Sequence, residues 1–274
     1  MRTLLVLLCA ALLGGTAPLS AQVQGAAPDT VHKNPRFFTR TDALYAGGFV
    51  LGTLAMTPLD RTLAEHLQDS TVQANRFFRH SANGVQTLGN PVDYIVSGGL
   101  YAVGKVTGNR PMAEAGLHTT EAIFLTDMLT VGVKDLAGRA RPLVDVHDPH
   151  DFKLGRGFGN DSFQSFPSGH TSSAFAAASA FTAEVGRWHP NLKLPAGIVL
   201  YTAASLVGVS RMYNNKHWAS DVLGGAALGT FTGWKVVQYN HAHPDNFLDR
   251  VFLGAGMAPA GNGGALIYWS LPSH

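Results

Sequence analysis

From about residue 40 onward, long runs of apolar and small residues alternate with short breaks of Pro, Gly, Asn and Asp, and no two-residue strand alternation appears before residue 246. That pattern predicts helices. Thr41 can cap one running over about 42–56, and a stretch of mixed charge covers about 62–79. Pro91 opens an apolar stretch to about 106, and Pro111 opens another, broken near Gly116 and ending at Gly138. Ser168 starts a helix to about 185, Pro195 one to about 211, and His217 the last, to about 239. The sum is an all-α bundle of six to seven helices. After residue 245 the pattern changes. Short apolar runs at 251–257 and 265–271 flank Pro259, Gly261, Asn262, Gly263 and Gly264, which predicts a short C-terminal β-hairpin packed on the bundle.

The N-terminus has its own logic. Arg2 precedes the apolar run 4–13, which gives way to Gly, Pro, Ser and Ala. This is the order of a secretory signal peptide, with cleavage expected after Ala21. The run falls well short of the roughly 20 apolar residues that span a bilayer. Cleavage removes Cys9, the only cysteine, so the exported chain has neither a disulfide nor a thiol to use in chemistry. The expected organisation is a signal peptide (1–21), a polar linker (22–36), the helical domain (37–245) and the hairpin tail (246–274). The expected location is periplasmic.

Charged residues make up 14% of the chain, against roughly 25% in ordinary soluble domains. The formal charge of +2 is too small to imply nucleic acid as a partner, and no Lys/Arg cluster marks a basic face, so none is expected. The longest charge-free runs, 43–59 and 194–210, reach only the lower edge of spanning length and are diluted by Gly, Ser, Thr or Pro. They read as bundle helices with small-residue contacts, with peripheral contact to a membrane left open.

Three segments carry candidate chemistry: Lys134 with Arg141-Pro142; Pro167-Ser168-Gly169-His170; and Ser210-Arg211 with His217 and Asp221. Singly, each has a plain structural explanation as a helix cap, a cation at a helix end or a surface pair. Together they place three cations, a helix N-terminus with free N–H groups and two imidazoles in one chain. Asp221 can hold one tautomer of His217 and leave the other ring nitrogen free to attack, and His170 suits proton donation.

The set resembles the signature of the PAP2 superfamily, which includes lipid phosphate phosphatases, bacterial class A acid phosphatases and vanadium haloperoxidases: K-x6-RP, then PSGH, then SR-x5-H-x3-D. Every fixed position is met, and the resemblance covers about residues 43–237. It implies a helical bundle and a phosphatase working through a phosphohistidine, with His217 as nucleophile, Asp221 as its orienting partner and His170 as general acid. Lys134, Arg141, Arg211, Ser168 and the Gly169 N–H would hold the phosphoryl oxygens. It implies no metal and no cofactor, since three cations supply the charge. The expected substrate is a phosphomonoester or diphosphate, with a lipid phosphate favoured over a small soluble ester. The low charge, the loop aromatics Phe158, Phe163 and Phe166, and Ile267, Tyr268 and Trp269 in the tail motivate that preference. A vanadate-dependent haloperoxidase and a non-catalytic binding module are the alternatives. The long segment 143–166 is the candidate substrate-selecting lid, and its His147-Asp148-Pro149-His150-Asp151 run reads as solvated loop rather than metal ligands.

Overall fold

The computed structural model describes residues 39–89, 91–259 and 265–269, all within one compact unit. The expected signal peptide and linker lie outside the described residues. Helix α1 spans Arg40–Met56. Its cap is Thr39, two residues before the expected one: Thr39 accepts from the Asp42 N–H, and the Asp42 carboxylate accepts from the Thr39 N–H at 2.7 Å. The stretch expected as one helix over 62–79 is three, α2 (Asp60–Gln68), α3 (Ser70–Ala74) and α4 (Arg76–Val85). Asp69 and Asn75 make the cuts, because each side chain caps the helix that follows it.

Helices α5 (Val92–Thr107) and α6 (Arg110–Ala137) form a tight pair, joined by Gly108 in the left-handed conformation and Asn109 as the next cap. The expected break at Gly116 does not occur. There the glycine serves helix contact, since a Cβ would stand 2.2 Å from the Tyr101 nitrogen of α5. Helices α7 (Gly169–Trp188), α8 (Pro190–Tyr213), α9 (Ala219–Ala242) and α10 (Phe247–Phe252) follow. Among the described residues the helices outnumber the six or seven expected. Six are long (α1 and α5–α9), and the surplus is short. Two stretches, β1 (Ala255–Pro259) and β2 (Ala265–Trp269), lie antiparallel with Ala255 opposite Trp269. They chiefly meet each other and α10, so the expected hairpin packed on the long helices is not supported.

Helix α7 is the centre, packed against α9, α8 and α6. Its approach to α9 is set by glycines four residues apart. A Cβ at Gly225 would fall 2.6 Å from the Ser168 carbonyl oxygen, at Gly229 2.1 Å from that of Ser172, and at Gly233 2.5 Å from that of Ala176. Both series ascend together, so the two helices run parallel, backbone against backbone. A buried ion pair, Lys235 to Asp42 at 2.5 Å, ties α1 to α9.

The distribution of side chains differs from that of a bundle whose exterior is water. The interior holds Ala, Ser, Thr and Gly, including fully buried Ala122, Ala176, Ala180, Thr126 and Ser172. Large apolar side chains point outward along four helices: Leu44 and Leu51 on α1, Ile95 and Val106 on α5, Phe124 and Met128 on α6, and Leu194 and Ile198 on α8, each more than half exposed. Among the described helices, α8 is long and apolar enough to cross a membrane, and little of its apolar window is buried.

Gly229→Ala should cost about 1–3 kcal/mol of stability, because the methyl has backbone rather than a flexible side chain to displace. Gly84→Ala, where nothing lies within 4 Å, should be neutral or stabilising. Unfolding of the two variants side by side in detergent is the measurement.

Candidate active site

The candidate residues collect at one end of the bundle, where α7 and α9 begin and α6 and α8 end. Helix α6 stops at Gly138, which is left-handed at φ 56° and which a Cβ would drive into the Lys153 carbonyl oxygen. One turn earlier Lys134 points across the end of α7. Its stem passes Gly169, where a Cβ would lie 3.5 Å from Lys134 Cε, and its Nζ donates to the Gln164 carbonyl at 2.6 Å.

Ser168 occupies the N-cap position of α7 but does not cap it. Its hydroxyl is buried and accepts from Thr171 Oγ1 at 2.8 Å, while its own N–H donates to the Asp221 carbonyl at 3.0 Å. The helix therefore opens with the N–H groups of its first turn uncapped by any side chain, an arrangement suited to an anion.

Arg141 and Arg211 are both buried, and each satisfies one end of its guanidinium within the chain. Arg141 Nη2 donates to Asp161 at 2.5 Å and Arg211 Nη1 to Gln86 Oε1 at 2.7 Å. The Nε of each is buried with no partner. Burial holds the His170 imidazole below its usual range, down to about 4, and Arg211, Lys134 and Arg141 add to this. Among the described residues the His170 ring makes no hydrogen bond, and its main chain backs directly onto Gly89.

His217 sits in the loop before α9, which begins at Ala219 rather than at His217 as expected. The ring is buried. Its Nδ1 donates to the Ser165 carbonyl at 2.7 Å, which fixes the tautomer and leaves Nε2 unprotonated. Asp221 stands 3.8 Å from Nδ1, so the direct orienting partner is Ser165 and the carboxylate acts one step behind it. Asp221 Oδ2 accepts from Ser165 Oγ at 2.5 Å and from the Trp218 N–H at 2.8 Å. Burial holds the His217 imidazole far below its usual range, down to about 3; Asp221 opposes this, and Lys134 and Arg141 add to it.

Two residues of this arrangement were not among the candidates. Ser165 carried no signal beyond nearness to Pro167. Arg139 could have been suspected from the Gly-Arg-Ala-Arg-Pro run at 138–142. Its guanidinium is buried and meets Asp221 Oδ1 at 2.5 Å, Asp60 at 2.8 Å, Ser220 Oγ at 2.7 Å and the Pro149 carbonyl at 2.7 Å. It neutralises the two carboxylates and ties α2, the loop and α9 together.

The 143–166 segment is built into this framework. Ala140 donates to the Asp151 carbonyl, Arg141 to that of Ser162, and Ser165 to that of Arg139. Gln164 Nε2 binds Asp135 at 2.7 Å. The expected lid is thus a wall that supplies Ser165 and Gln164 to the site. Of its aromatics, Phe163 lies under the Arg156 guanidinium at 3.9 Å and Phe166 packs at Gly224, leaving Phe158 exposed. His147 pairs with Glu65 on the exterior.

A helical bundle with an uncapped helix end, three cations and a tautomer-fixed imidazole is suited to an anion. The PAP2 superfamily model matches residues 115–245 of the chain. A "Lipid A 1-phosphatase" of Porphyromonas gingivalis is 54% identical over 69 residues, 25% of this chain and 15% of that protein. A second protein of that name, from Rhizobium etli, is 29% identical over 119 residues, 43% of this chain and 46% of the relative. The chain thus spans less than half the length of these relatives. The crystal structure of Aquifex aeolicus LpxE superposes with a TM-score of 0.50 at 23% identity, covering 66% of this chain and 96% of that one, a likeness of fold.

Arg139→Met should destabilise the protein by about 3–5 kcal/mol, because it strands Asp221 and Asp60 as buried charges. Denaturant unfolding measures this, and Asp60→Asn in the same chain should recover part of the loss. A separate expectation concerns pH. With a folded value near 3 against 6.5 for the free group, His217 takes up a proton on unfolding throughout that window. Its contribution is constant above about pH 6.5 and turns against the folded state as pH falls towards 3. His217→Asn should therefore flatten the slope of unfolding free energy against pH within that window and leave it unchanged above.

Proposed function

We propose that the chain is a phosphatase that removes a phosphoryl group from a membrane lipid through a phosphohistidine on His217. The observation that carries this reading is the pairing of a nucleophile with an anion seat. His217 keeps Nε2 free while its other nitrogen is tied to Ser165, and beside it two buried arginine Nε–H groups and an uncapped helix end have no partner. A phosphoryl group satisfies all of them. Lys134, Arg141 and Arg211 then carry the charge on its non-bridging oxygens, the part metal ions play in many other phosphatases.

Nε2 attacks phosphorus, the P–O bond to the leaving group breaks, and His170 delivers a proton to the departing oxygen. In the second step His170 takes a proton from water as the water oxygen attacks phosphorus. The P–N bond breaks, and the electron pair returns to Nε2. Asp221 acts through Ser165 and helix α9, steadying the imidazole as positive charge develops.

The lipid assignment rests on the exterior. Four helices present large apolar side chains outward around a small-residue interior, which is costly in water and natural in hydrocarbon. The relatives named as lipid A phosphatases support the same substrate class. The chain is read as an exported protein embedded by this belt, with the site at one end of the bundle where a lipid headgroup can enter.

The test is an acid-quenched reaction with phosphate-labelled lipid in mixed micelles. Label should appear on His217, be stable to base and labile to acid, and be absent from His217→Asn. His170→Asn should lower turnover about 10²–10⁴-fold and spare good leaving groups. Vanadate should inhibit as a five-coordinate mimic. Label on another residue overturns the mechanism. A kcat/KM tenfold higher for a small aryl phosphate, about 1.4 kcal/mol, overturns the lipid assignment.

A further inference from the structure

At the opposite end of the bundle lies a second buried polar cluster with no part in the reading above. His118 is sixteen residues before Lys134 on α6, Glu184 fourteen after His170 on α7, and His241 twenty after Asp221 on α9. At 1.5 Å per residue these separations place the cluster roughly 20–30 Å from the phosphate seat. We propose that Glu184, His118 and His241 form a binding site for a divalent metal ion of the zinc class, with Asp249 orienting His118.

The geometry is that of a three-ligand site. Glu184 Oε1 lies 2.6 Å from His118 Nδ1 and 2.8 Å from His241 Nε2, and one donor atom from each residue falls within 4.8 Å of the other two. Ligands at about 2.0 Å around a tetrahedral ion stand roughly 3.3 Å apart, a spacing within the spread of this trio. His118 Nε2 meets Asp249 Oδ1 at 3.0 Å, giving the carboxylate–histidine–metal relay that fixes a ligating imidazole. Glu184 is fully buried, and its Oε2 has no hydrogen-bond partner. That buried, unpartnered oxygen is the second observation, because it can join the coordination of an ion.

Electrostatics favour a cation here. Helices α7 and α9 run parallel and both end at this cluster, so their C-terminal dipoles add to the charges of Glu184 and Asp249. Access exists as well, through a cavity of about 410 Å³ lined by His118, His241, Glu114, Asp245 and Asp249. The basic groups on that wall are Arg110, paired with Glu114, Lys105, paired with the Leu253 carbonyl, and Arg250. His241 is the partly exposed ligand, facing the side from which an ion arrives. Two histidines and one glutamate suit zinc and leave a fourth position for water.

The test uses tag-free full-length protein in detergent, stripped with a chelator and titrated with Zn²⁺ against a chromophoric competitor. One equivalent should bind, and Co²⁺ in its place should give the visible absorption of a four-coordinate ion. Glu184→Gln and His241→Asn should each abolish stoichiometric binding. Asp249→Asn should weaken it about 10–100-fold. His147→Asn, which changes a surface histidine elsewhere, should leave it intact. Because Glu184 is buried and its variant could fail to fold, His241→Asn decides, with unfolding followed in parallel. Zn²⁺ should raise the Tm of wild type and not that of His241→Asn. Equal binding by wild type and a folded His241→Asn variant, or loss of binding on His147→Asn, overturns the proposal.

Discussion

The arrangement rests on the contact between α7 and α9. Gly225, Gly229 and Gly233 bring one backbone so close to the other that no side chain fits between them, and the parallel direction of the pair follows from their matched order along both helices. Everything chemical stands at the two ends of this pair. At one end both helices begin, bringing their positive dipole ends and the uncapped first turn of α7 to Lys134, Arg141 and Arg211. At the other both helices end, and Glu184, His241 and Asp249 collect with His118. A single close approach therefore gives the bundle one end suited to anions and another suited to cations.

The anion end contains a cost that the rest of the structure has to meet. Arg139 and Asp221 are a fully buried ion pair, and such pairs seldom stabilise a fold relative to apolar residues of the same shape. Here Asp221 engages Ser165 and Trp218, Ser165 engages His217, and Arg139 engages Asp60 and Pro149. The pair holds the imidazole in one tautomer and one direction, while burial, with Lys134 and Arg141 adding to it, keeps the ring from taking a proton. What the network supplies is position more than stability. It also explains why the 143–166 segment, though irregular, is pinned along its length: it carries the carbonyl that His217 needs.

The interior and exterior of the bundle exchange their usual roles. Ala, Ser, Thr and Gly fill the centre, where close approach of backbones and short hydroxyl bonds such as Ser179 to the Thr230 carbonyl hold the helices together. Leu, Ile, Val and Phe are left for the outside. Counting apolar runs against spanning length reads them as bundle helices, because Gly, Ser and Thr dilute each run. Those same small residues are the packing faces, and the direction of the large ones shows only once the helices are placed.

By itself the sequence determined the helical class and the eight candidate residues, because a motif of fixed spacing needs no knowledge of distant contacts. It located the start of α7 at Ser168 and the end of α6 at Gly138 for local reasons of capping and backbone conformation. It misplaced what depends on partners. The cuts at Asp69 and Asn75, the unbroken run of α6 through Gly116 and the placement of His217 outside α9 each turn on where a side chain finds its hydrogen bond or its neighbour. Tertiary structure alone decided that Ser165, rather than Asp221, directly holds His217, that Arg139 balances the buried acids, and that His118, Glu184, His241 and Asp249 meet. These residues lie far apart in the chain, from 52 positions for His217 and Ser165 to 131 for His118 and Asp249, and no local pattern records a contact between groups brought together only by the packing of helices.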